Sequence, residues 1–209
     1  MCQSEVCRMR MPTRYGRSPT STGSAPAVRR ERTRRHARET HRAYPDRMDL
    51  PDVCVVYLLR PGAAGGTDVL LGYKRTGLGL GKVVGIGGKV EAGESVREGA
   101  VREVHEETGL HIEADDLEPA GVLDYLFPSQ PSWSQRSHVF TCTTWRGEPV
   151  ETEEIVPRWF ALDDVPYARM WDDAGRWLPD VLRGGRIAAR YTFGDDLATV
   201  VAEERRAVA

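Results

Sequence analysis

The sequence has few cysteines and no long apolar run. Its four cysteines, at positions 2, 7, 54 and 142, show neither the short paired spacings of a zinc site nor the density of a disulfide-bonded scaffold. No segment approaches the roughly 18 consecutive apolar residues that a membrane-spanning helix needs. These absences exclude a helical membrane protein, and they favour a cytoplasmic protein with reduced thiols.

Lysine is absent from the first 47 residues, although arginine is abundant there. These residues hold twelve arginines and four acidic residues, whereas the remaining chain holds 17 basic and 27 acidic residues. The two parts therefore carry net charges of +8 and −10. A length of 209 residues fits one domain of about 150 residues with some chain left over. We predict an arginine-rich leader, residues 1–47, followed by one domain, residues 48–209.

Large apolar residues are also scarce in the leader. Such a segment buries too little surface to offset the entropy lost on ordering, so we expect residues 1–47 to be disordered. The leader lacks the amphipathic repeat of a transit peptide and the apolar core of a secretory signal. Met48 stands where a compact domain would begin, which favours a second interpretation, that residues 1–47 are an over-called N-terminus. We predict no stable nucleic-acid or membrane partner and leave the oligomeric state open.

The domain reads as a mixed α+β fold. Apolar runs bounded by glycine and proline indicate strands, and Ser95 and Gly109 are typical caps of a helix that ends near Thr108. A shorter helical region contains Trp171 to Leu182. Strands outnumber helices and do not alternate with them strictly, which excludes a doubly wound sheet. The predicted strands are Val53–Leu59, Asp68–Tyr73, Gly121–Phe127, His138–Trp145, Arg158–Leu162 and a C-terminal hairpin turned at residues 194–196.

Three carboxylates lie on one face of the first predicted helix. Glu103, Glu106 and Glu107 stand at positions i, i+3 and i+4, so their charges repel one another unless a cation compensates them. Hard divalent cations such as Mg²⁺ or Mn²⁺ take oxygen ligands of this kind. The glycine-dense loop before the helix, with Gly85, Gly87 and Gly88, permits close approach of backbone to a metal or phosphate. A merely solvated acidic face is the alternative, and the combination of loop and carboxylates argues against it.

The same residues resemble the Nudix box. Nine restricted positions in 23 residues match it without departure: Gly88, Glu94, Arg102, Glu103, Val104, Glu106, Glu107, Gly109 and Leu110. The resemblance implies a Nudix hydrolase, an α/β/α sandwich around a central mixed sheet that cleaves a nucleoside diphosphate linked to another group with the help of Mg²⁺. It also implies roles for individual residues.

The resemblance assigns a metal site and a structural ion pair. The expected metal ligands are the carbonyl of Gly87 and the carboxylates of Glu103, Glu106 and Glu107. Glu103 is also the candidate to deprotonate the attacking water. Glu154, before the strand that contains Trp159, is a candidate for a further metal ligand, with chance acidity as the alternative. Glu94 and Arg102 are expected to pair and brace the loop against the helix.

The likeness to one subgroup extends from Val53 to Ala202. Segments before and after the box resemble the oxidised purine nucleoside triphosphatases, which implies hydrolysis of 8-oxo-dGTP and related nucleotides to monophosphate and pyrophosphate. Trp171 is in place to stack on the base, with an ordinary core aromatic as the alternative. Lys74 and Lys89 are candidates for phosphate contact.

The expected base pocket departs from that subgroup. Val84 replaces an asparagine that reads the base edge, and Leu78 replaces a phenylalanine. Of two expected adjacent aspartates, Asp173 matches and Ala174 does not, although a shift would let Asp172 and Asp173 form the pair. A hydrolase for ADP-ribose or a dinucleotide stays open as an alternative, because Pro128 and Pro131 stand downstream of the box, although no obvious proline-containing signature of the ADP-ribose group is present. A non-catalytic nucleotide sensor is disfavoured because all three box glutamates are present.

The leader prediction is tested by truncation. A chain that begins at Met48 should melt at the same temperature as the full chain and keep its turnover, because residues 1–47 supply no core-forming side chains. Thermal denaturation and steady-state kinetics on both chains check this. Precipitation or lost activity of the shorter chain would show that the leader is part of the fold.

Overall fold

The structure, a computed structural model, describes residues 49–63 and 65–208. The predicted leader, residues 1–47, and the boundary at Met48 lie outside the described residues. Within the described part the strands are β1 (Asp52–Pro61), β2 (Thr67–Lys74), β3 (Val83–Val84), β4 (Glu118–Leu126), β5 (Gln135–Cys142), β6 (Ile155–Ala161), β7 (Ile187–Phe193) and β8 (Val200–Arg205). The α-helices are α1 (Val96–Thr108) and α2 (Ala174–Val181). Neither helix is long and apolar enough to cross a membrane.

The strands form one mixed sheet. Its order is β3-β2-β1-β5-β4-β7-β8, and β6 pairs with β2. The pairs β1–β5 and β4–β7 are parallel, and the other pairs are antiparallel. The predicted α+β class with a mixed sheet is confirmed.

Each face of the sheet carries one helix. Successive side chains of a strand point to opposite faces, so β1 contributes to two separate cores. Val56 and Leu58 pack with Ala100 and Val104 of α1. Tyr57 packs on the opposite side with Trp177 and other apolar residues of α2. The result is the expected α/β/α sandwich, in which α1 and α2 lie on opposite sides of β1.

Helix α1 begins and ends as its sequence predicts. The Ser95 hydroxyl accepts a hydrogen bond from the backbone N–H of Glu98, and the Glu98 carboxylate accepts one from the backbone N–H of Ser95. This reciprocal capping box satisfies two backbone donors that the helix itself leaves unpaired. Gly109 ends the helix at φ 73°, a left-handed conformation that glycine adopts without strain.

Strand β5 differs from its prediction at both ends. It begins at Gln135 and ends at Cys142, whereas the sequence pattern indicated residues 138–145. The chain leaves the sheet after Cys142, and Arg146 then exchanges backbone hydrogen bonds with His111. Trp145 therefore lies beyond the strand, and its ring stacks on that of Trp159, with the ring centroids 5.5 Å apart.

A buried carboxylate on β4 holds three arginines together. Asp124 is 1% exposed and accepts hydrogen bonds from Arg136 at 2.8 Å, Arg206 at 3.2 Å and Arg190 at 3.4 Å. Burial alone would raise the pKa of Asp124, but the arginines outweigh burial and hold that pKa below its ordinary value. Because β4, β5, β7 and the chain after β8 each supply one member, this cluster joins the C-terminal strands to the rest of the sheet.

We expect Asp124→Asn to destabilise the fold by about 3 kcal/mol at neutral pH, because it leaves arginines beside a neutral, buried partner. A carboxylate with a lowered folded-state pKa stabilises above its unfolded pKa of about 3.9 and loses that contribution as pH falls further. The difference in free energy of unfolding between the variant and the native chain should therefore become smaller below about pH 4. Urea denaturation at several pH values measures it.

The matched control is Glu113→Gln in the exposed pair with Arg146. Its cost should stay below about 1 kcal/mol, because solvent screens an exposed ion pair. Equal costs for the two variants would contradict a special role for Asp124.

Candidate active site

A cavity of about 670 Å³ lies between the glycine-rich loop and the sheet face that α2 covers. Two chemically different groups of residues line it. The acidic group comprises Glu103, Glu106 and Glu154, which line the cavity, and their neighbour Glu107 on α1, which does not. The aromatic group, called the aromatic pocket below, comprises Phe127, Trp171, Trp177 and Phe193. One ligand that enters this cavity can therefore contact both carboxylates and aromatic rings.

The glycine loop packs directly on the acidic side of α1. A Cβ atom at Gly88 would meet a carboxylate oxygen of Glu103 at 2.5 Å, and one at Gly87 would meet the carbonyl oxygen of Cys54 at 2.1 Å. The backbone N–H of Gly87 donates a hydrogen bond of 2.9 Å to Glu107. Only a loop without a side chain at Gly87 can approach β1 so closely, and a side chain at Gly88 would force the Glu103 carboxylate to move.

Glu107 is buried and does not lie on a solvated face. Glu107 is 3% exposed, which agrees with the argument of the sequence analysis against a merely solvated acidic face. Glu107 stands one helical turn after the buried Val104, and the absence of side chains on Gly87 and Gly88 lets the loop cover it. Lys74 donates to it at 2.7 Å.

Lys74 joins two acidic residues that are far apart in sequence. Its ammonium group lies 2.7 Å from the Glu107 carboxylate and 3.1 Å from that of Glu154. The structure thus brings Glu154 to the candidate metal site, as the prediction for Glu154 requires. Lys74 was predicted to contact phosphate, but in this structure it bridges two carboxylates. Lys89, the other candidate for phosphate contact, lines the cavity and is exposed.

Arg102 forms the predicted ion pair with Glu94 and contacts two further acids. Its guanidinium donates to Glu94 at 2.7 and 3.2 Å and to the carbonyl of Lys89 at 2.8 Å, which ties the loop to α1. The same group donates to Glu103 at 3.0 Å and to Glu106 at 2.9 Å. The sequence analysis did not anticipate these last two contacts. Arg102 is therefore both a brace and a counterion of the acidic group.

Burial sets the protonation behaviour of two of the glutamates. It raises the pKa of Glu103, and Arg102 only partly opposes this effect. It also raises the pKa of Glu107, more than the ion pair with Lys74 lowers it. Repulsion from Glu107 and Glu106 adds to the shift at Glu103. Additional positive charge nearby would stabilise the ionised forms of these two carboxylates.

The donor chemistry of the acidic group fits a hard divalent cation. All four carboxylates offer oxygen, the ligand that Mg²⁺ and Mn²⁺ prefer. Within the described residues no three acidic, histidine or cysteine side chains stand close enough together to hold a metal ion. The reason is visible in the ion pairs: Arg102 draws Glu103 and Glu106 to one side, while Lys74 draws Glu107 and Glu154 to the other. The side chains of Glu106 and Glu154, 57% and 60% exposed, have room to reorient.

Trp171 lies in the aromatic pocket and not in the closed core. Its ring meets Phe127 and Phe193 edge-on at centroid distances of 6.0 and 5.7 Å, and these two rings stack on each other at 4.5 Å. Lys82 places its ammonium group 4.7 Å from the Trp171 centroid. Trp171 is therefore held in a fixed orientation at the wall of the cavity, which is the arrangement that stacking on a planar ligand requires.

Asp173 is a buried carboxyl group at the cavity wall. It is 2% exposed, and one of its oxygens accepts hydrogen bonds from Tyr125 at 2.9 Å and Trp177 at 2.7 Å. Its other oxygen has no hydrogen-bond partner within the described residues. Burial raises the pKa of Asp173, and the two hydrogen bonds do not offset it.

The structure distinguishes the two alignments of the aspartate pair, Asp173 with Ala174 or Asp172 with Asp173. Asp172 accepts from Arg176 and from the backbone N–H of Val200, both at 3.0 Å, and it is absent from the cavity lining. Asp173 and Ala174 both line the cavity, as do Leu78 and Val84. The geometry therefore favours the alignment in which Asp173 is the single aspartate of the pocket.

The chain belongs to the NUDIX family: the NUDIX domain profile matches residues 48–181. The oxidized purine nucleoside triphosphate hydrolase of Mus musculus is 39% identical over 127 residues, which are 61% of this chain and 80% of the mouse protein. The enzyme of the same description from Danio rerio is 36% identical over 139 residues, 66% of this chain and 84% of that protein. The predicted family is confirmed, and its hydrolases generally use divalent metal ions.

Solved structures support the fold assignment. The MutT protein of Bacillus halodurans superposes with a TM-score of 0.60 at 24% identity, over 74% of this chain and 97% of that chain. The NUDIX domain of NrtR from Shewanella oneidensis, solved with ADP ribose, gives a TM-score of 0.54 at 15% identity, over 66% of this chain and 89% of that chain. At these identities the likeness concerns the fold.

We expect Glu107→Gln to reduce hydrolysis by orders of magnitude and to weaken Mn²⁺ binding, because it removes the buried charge that Lys74 and Gly87 hold in place. The melting temperature should fall moderately, because the amide leaves Lys74 beside a neutral, buried neighbour while Lys74 keeps its ion pair with Glu154. Kinetics over a range of Mg²⁺ concentrations and electron paramagnetic resonance of Mn²⁺ measure these effects. Glu153→Gln, an exposed neighbour of Glu154, is the control. Near-normal activity and metal binding in Glu107→Gln would remove this residue from the site.

Proposed function

We propose that this chain is a Mg²⁺-dependent cytoplasmic hydrolase of oxidised purine nucleoside triphosphates such as 8-oxo-dGTP, which it converts to the monophosphate and pyrophosphate. The observation that carries the proposal is that carboxylates of the acidic group and the aromatic pocket line one cavity. A nucleoside triphosphate has a matching division into a charged chain and a planar base. The names of the mouse and zebrafish relatives support the same substrate class.

The acidic group and its two counterions serve the phosphate chain. Glu103, Glu106, Glu107 and Glu154 are the residues that would hold Mg²⁺, with the carbonyl of Gly87 as a further ligand. Bound Mg²⁺ would neutralise phosphate charge and lower the pKa of a water molecule. Glu103, which lines the cavity, is the candidate to accept the proton of the attacking water. Lys74 and Lys89 would supply positive charge to the phosphates.

Arg102 keeps the acidic group in place during this chemistry. It ties Glu94 and the Lys89 carbonyl to α1, so the loop holds its distance from Glu103. This rigidity matters because a reacting phosphate must meet water and carboxylate within a fraction of an ångström. Arg102 and Glu94 therefore act as positioning residues.

The aromatic pocket would take the base. Stacking on Trp171 contributes about 1–3 kcal/mol and does not depend on which base is bound. Asp173 adds a directed polar group, since its free oxygen can donate a hydrogen bond when protonated and accept one when ionised. Leu78 and Val84 offer only apolar contacts, which discriminate between similar ligands by about 10² at best, whereas hydrogen-bonding sites reach about 10⁴.

The proposal predicts turnover of several purine triphosphates and a modest preference for oxidised ones. The ratio of kcat/KM for 8-oxo-dGTP over dGTP should stay below about 10⁴, because one side of the pocket is apolar. The test is incubation of the full chain with normal and oxidised nucleotides, ADP-ribose and a dinucleotide in the presence of Mg²⁺, with chromatographic identification of the products. Turnover of ADP-ribose alone would overturn the proposal, and a ratio above 10⁴ would show that the apolar side does not limit discrimination.

A second prediction concerns Trp171. Trp171→Ala should raise KM for every purine triphosphate about tenfold or more, because stacking energy is lost whichever base is bound. Trp145→Ala is the matched control, since Trp145 stacks on Trp159 outside the cavity. Steady-state kinetics on both variants compare them. A selective loss for one base only would contradict a stacking role.

A further inference from the structure

Strand β5 contributes two polar side chains to the cavity that the proposed chemistry leaves unused. Gln135 and Ser137 both line it, together with Tyr125 of β4. Ser137 is buried at 4% exposure, and Gln135 is half-buried. These residues therefore face the ligand space, although none of them belongs to the acidic group.

The register of the sheet sets these side chains in a row. Gln135 is the direct partner of Tyr125 across β4 and β5, and Ser137 follows two residues later, opposite Leu123. Residues that are direct partners or two apart on a strand share one face of the sheet. Tyr125 in turn donates to Asp173. A polar row thus runs from Asp173 through Tyr125 and Gln135 to Ser137.

Neither Gln135 nor Ser137 makes a side-chain hydrogen bond to another described residue. The cavity leaves these groups open to water, and a ligand that displaces the water must pair with them or lose those hydrogen bonds. Of the other lining residues, Leu78 of the loop and Val84 of β3 have no polar side-chain atoms, whereas Thr76 carries a hydroxyl. Gln135 and Ser137 thus add hydrogen-bonding groups that Leu78 and Val84 do not supply.

We propose that Gln135 and Ser137 determine base selectivity by hydrogen-bonding the polar edge of the purine, beside Asp173. The amide of Gln135 presents a donor and an acceptor side by side, which suits the adjacent donor and acceptor of a purine edge. The Ser137 hydroxyl donates or accepts as the base requires. Stacking on Trp171 binds any base equally, so the hydrogen bonds of this polar row would determine which base is preferred. This inference rests on the proposed function.

The test compares Gln135→Met and Ser137→Ala with the native chain. Gln135→Met keeps the length of the side chain and removes its amide. For each chain, kcat/KM is measured for dGTP, 8-oxo-dGTP, dATP and 2-hydroxy-dATP, and the dissociation constants of the corresponding monophosphates are measured by calorimetry without metal. The ratio between the best and the poorest substrate should fall at least tenfold in Gln135→Met and by a smaller factor in Ser137→Ala. The loss should appear in KM and in monophosphate binding more than in kcat.

Thr141→Val is the matched control, because Thr141 lies on the same strand outside the cavity lining. It should leave all ratios unchanged. Unaltered ratios in both Gln135→Met and Ser137→Ala, with native melting temperatures, would overturn the inference. If Gln135→Met does not fold, the inference is tested by the substrate ratios and the monophosphate dissociation constants of Ser137→Ala. A native chain that hydrolyses none of the four nucleotides would instead defeat the proposed function, and the two failures are distinguishable.

Discussion

The close approach of the glycine loop to α1 is the constraint on which the site depends. Gly87 and Gly88 lie where any side chain would strike the Cys54 carbonyl or the Glu103 carboxylate. Because the loop comes so near, its backbone N–H can reach Glu107, and Glu107 can be buried while still bonded. The capping box and Gly109 fix the ends of α1, so this contact is held at a defined position along the helix.

Burial of the carboxylates costs desolvation energy, and the positively charged side chains of two residues offset part of that cost. Lys74 and Arg102 divide the four carboxylates between them, which lowers the cost of desolvation without fixing every acid rigidly. The outer members, Glu106 and Glu154, remain largely exposed. Glu107 is buried and Glu103 is partly buried, both with a raised pKa, whereas Glu106 and Glu154 are exposed and have room to reorient. Under the proposed function, such a site would exchange its internal counterions for a divalent ion and a phosphate chain.

The sequence was sufficient to predict the parts of this arrangement that are local. The helix caps, the spacing of the three glutamates and the strand–turn pattern involve residues close together in the chain. The pairing of Lys74 with Glu107 and Glu154 spans 33 and 80 positions, and no periodicity within one element indicates it. Gln135 and Ser137 were missed because the apolar run seemed to begin at His138, so the two-residue alternation was not extended to them.

The distribution of polarity around the pocket explains how one fold can keep its chemistry and vary its substrate. The phosphate side depends on the loop–helix contact, where substitution at Gly87 or Gly88 would displace the carboxylates. The base side depends on outward-facing positions of strands and loops, where a side chain can change without disturbing backbone pairing. Here Leu78 and Val84 are apolar, while Gln135 and Ser137 are polar, and all four line the same cavity. In the proposed function, Gln135 and Ser137 thus offer the base hydrogen-bonding groups that Leu78 and Val84 lack, and they lie apart from the carboxylates that would serve the phosphate chain.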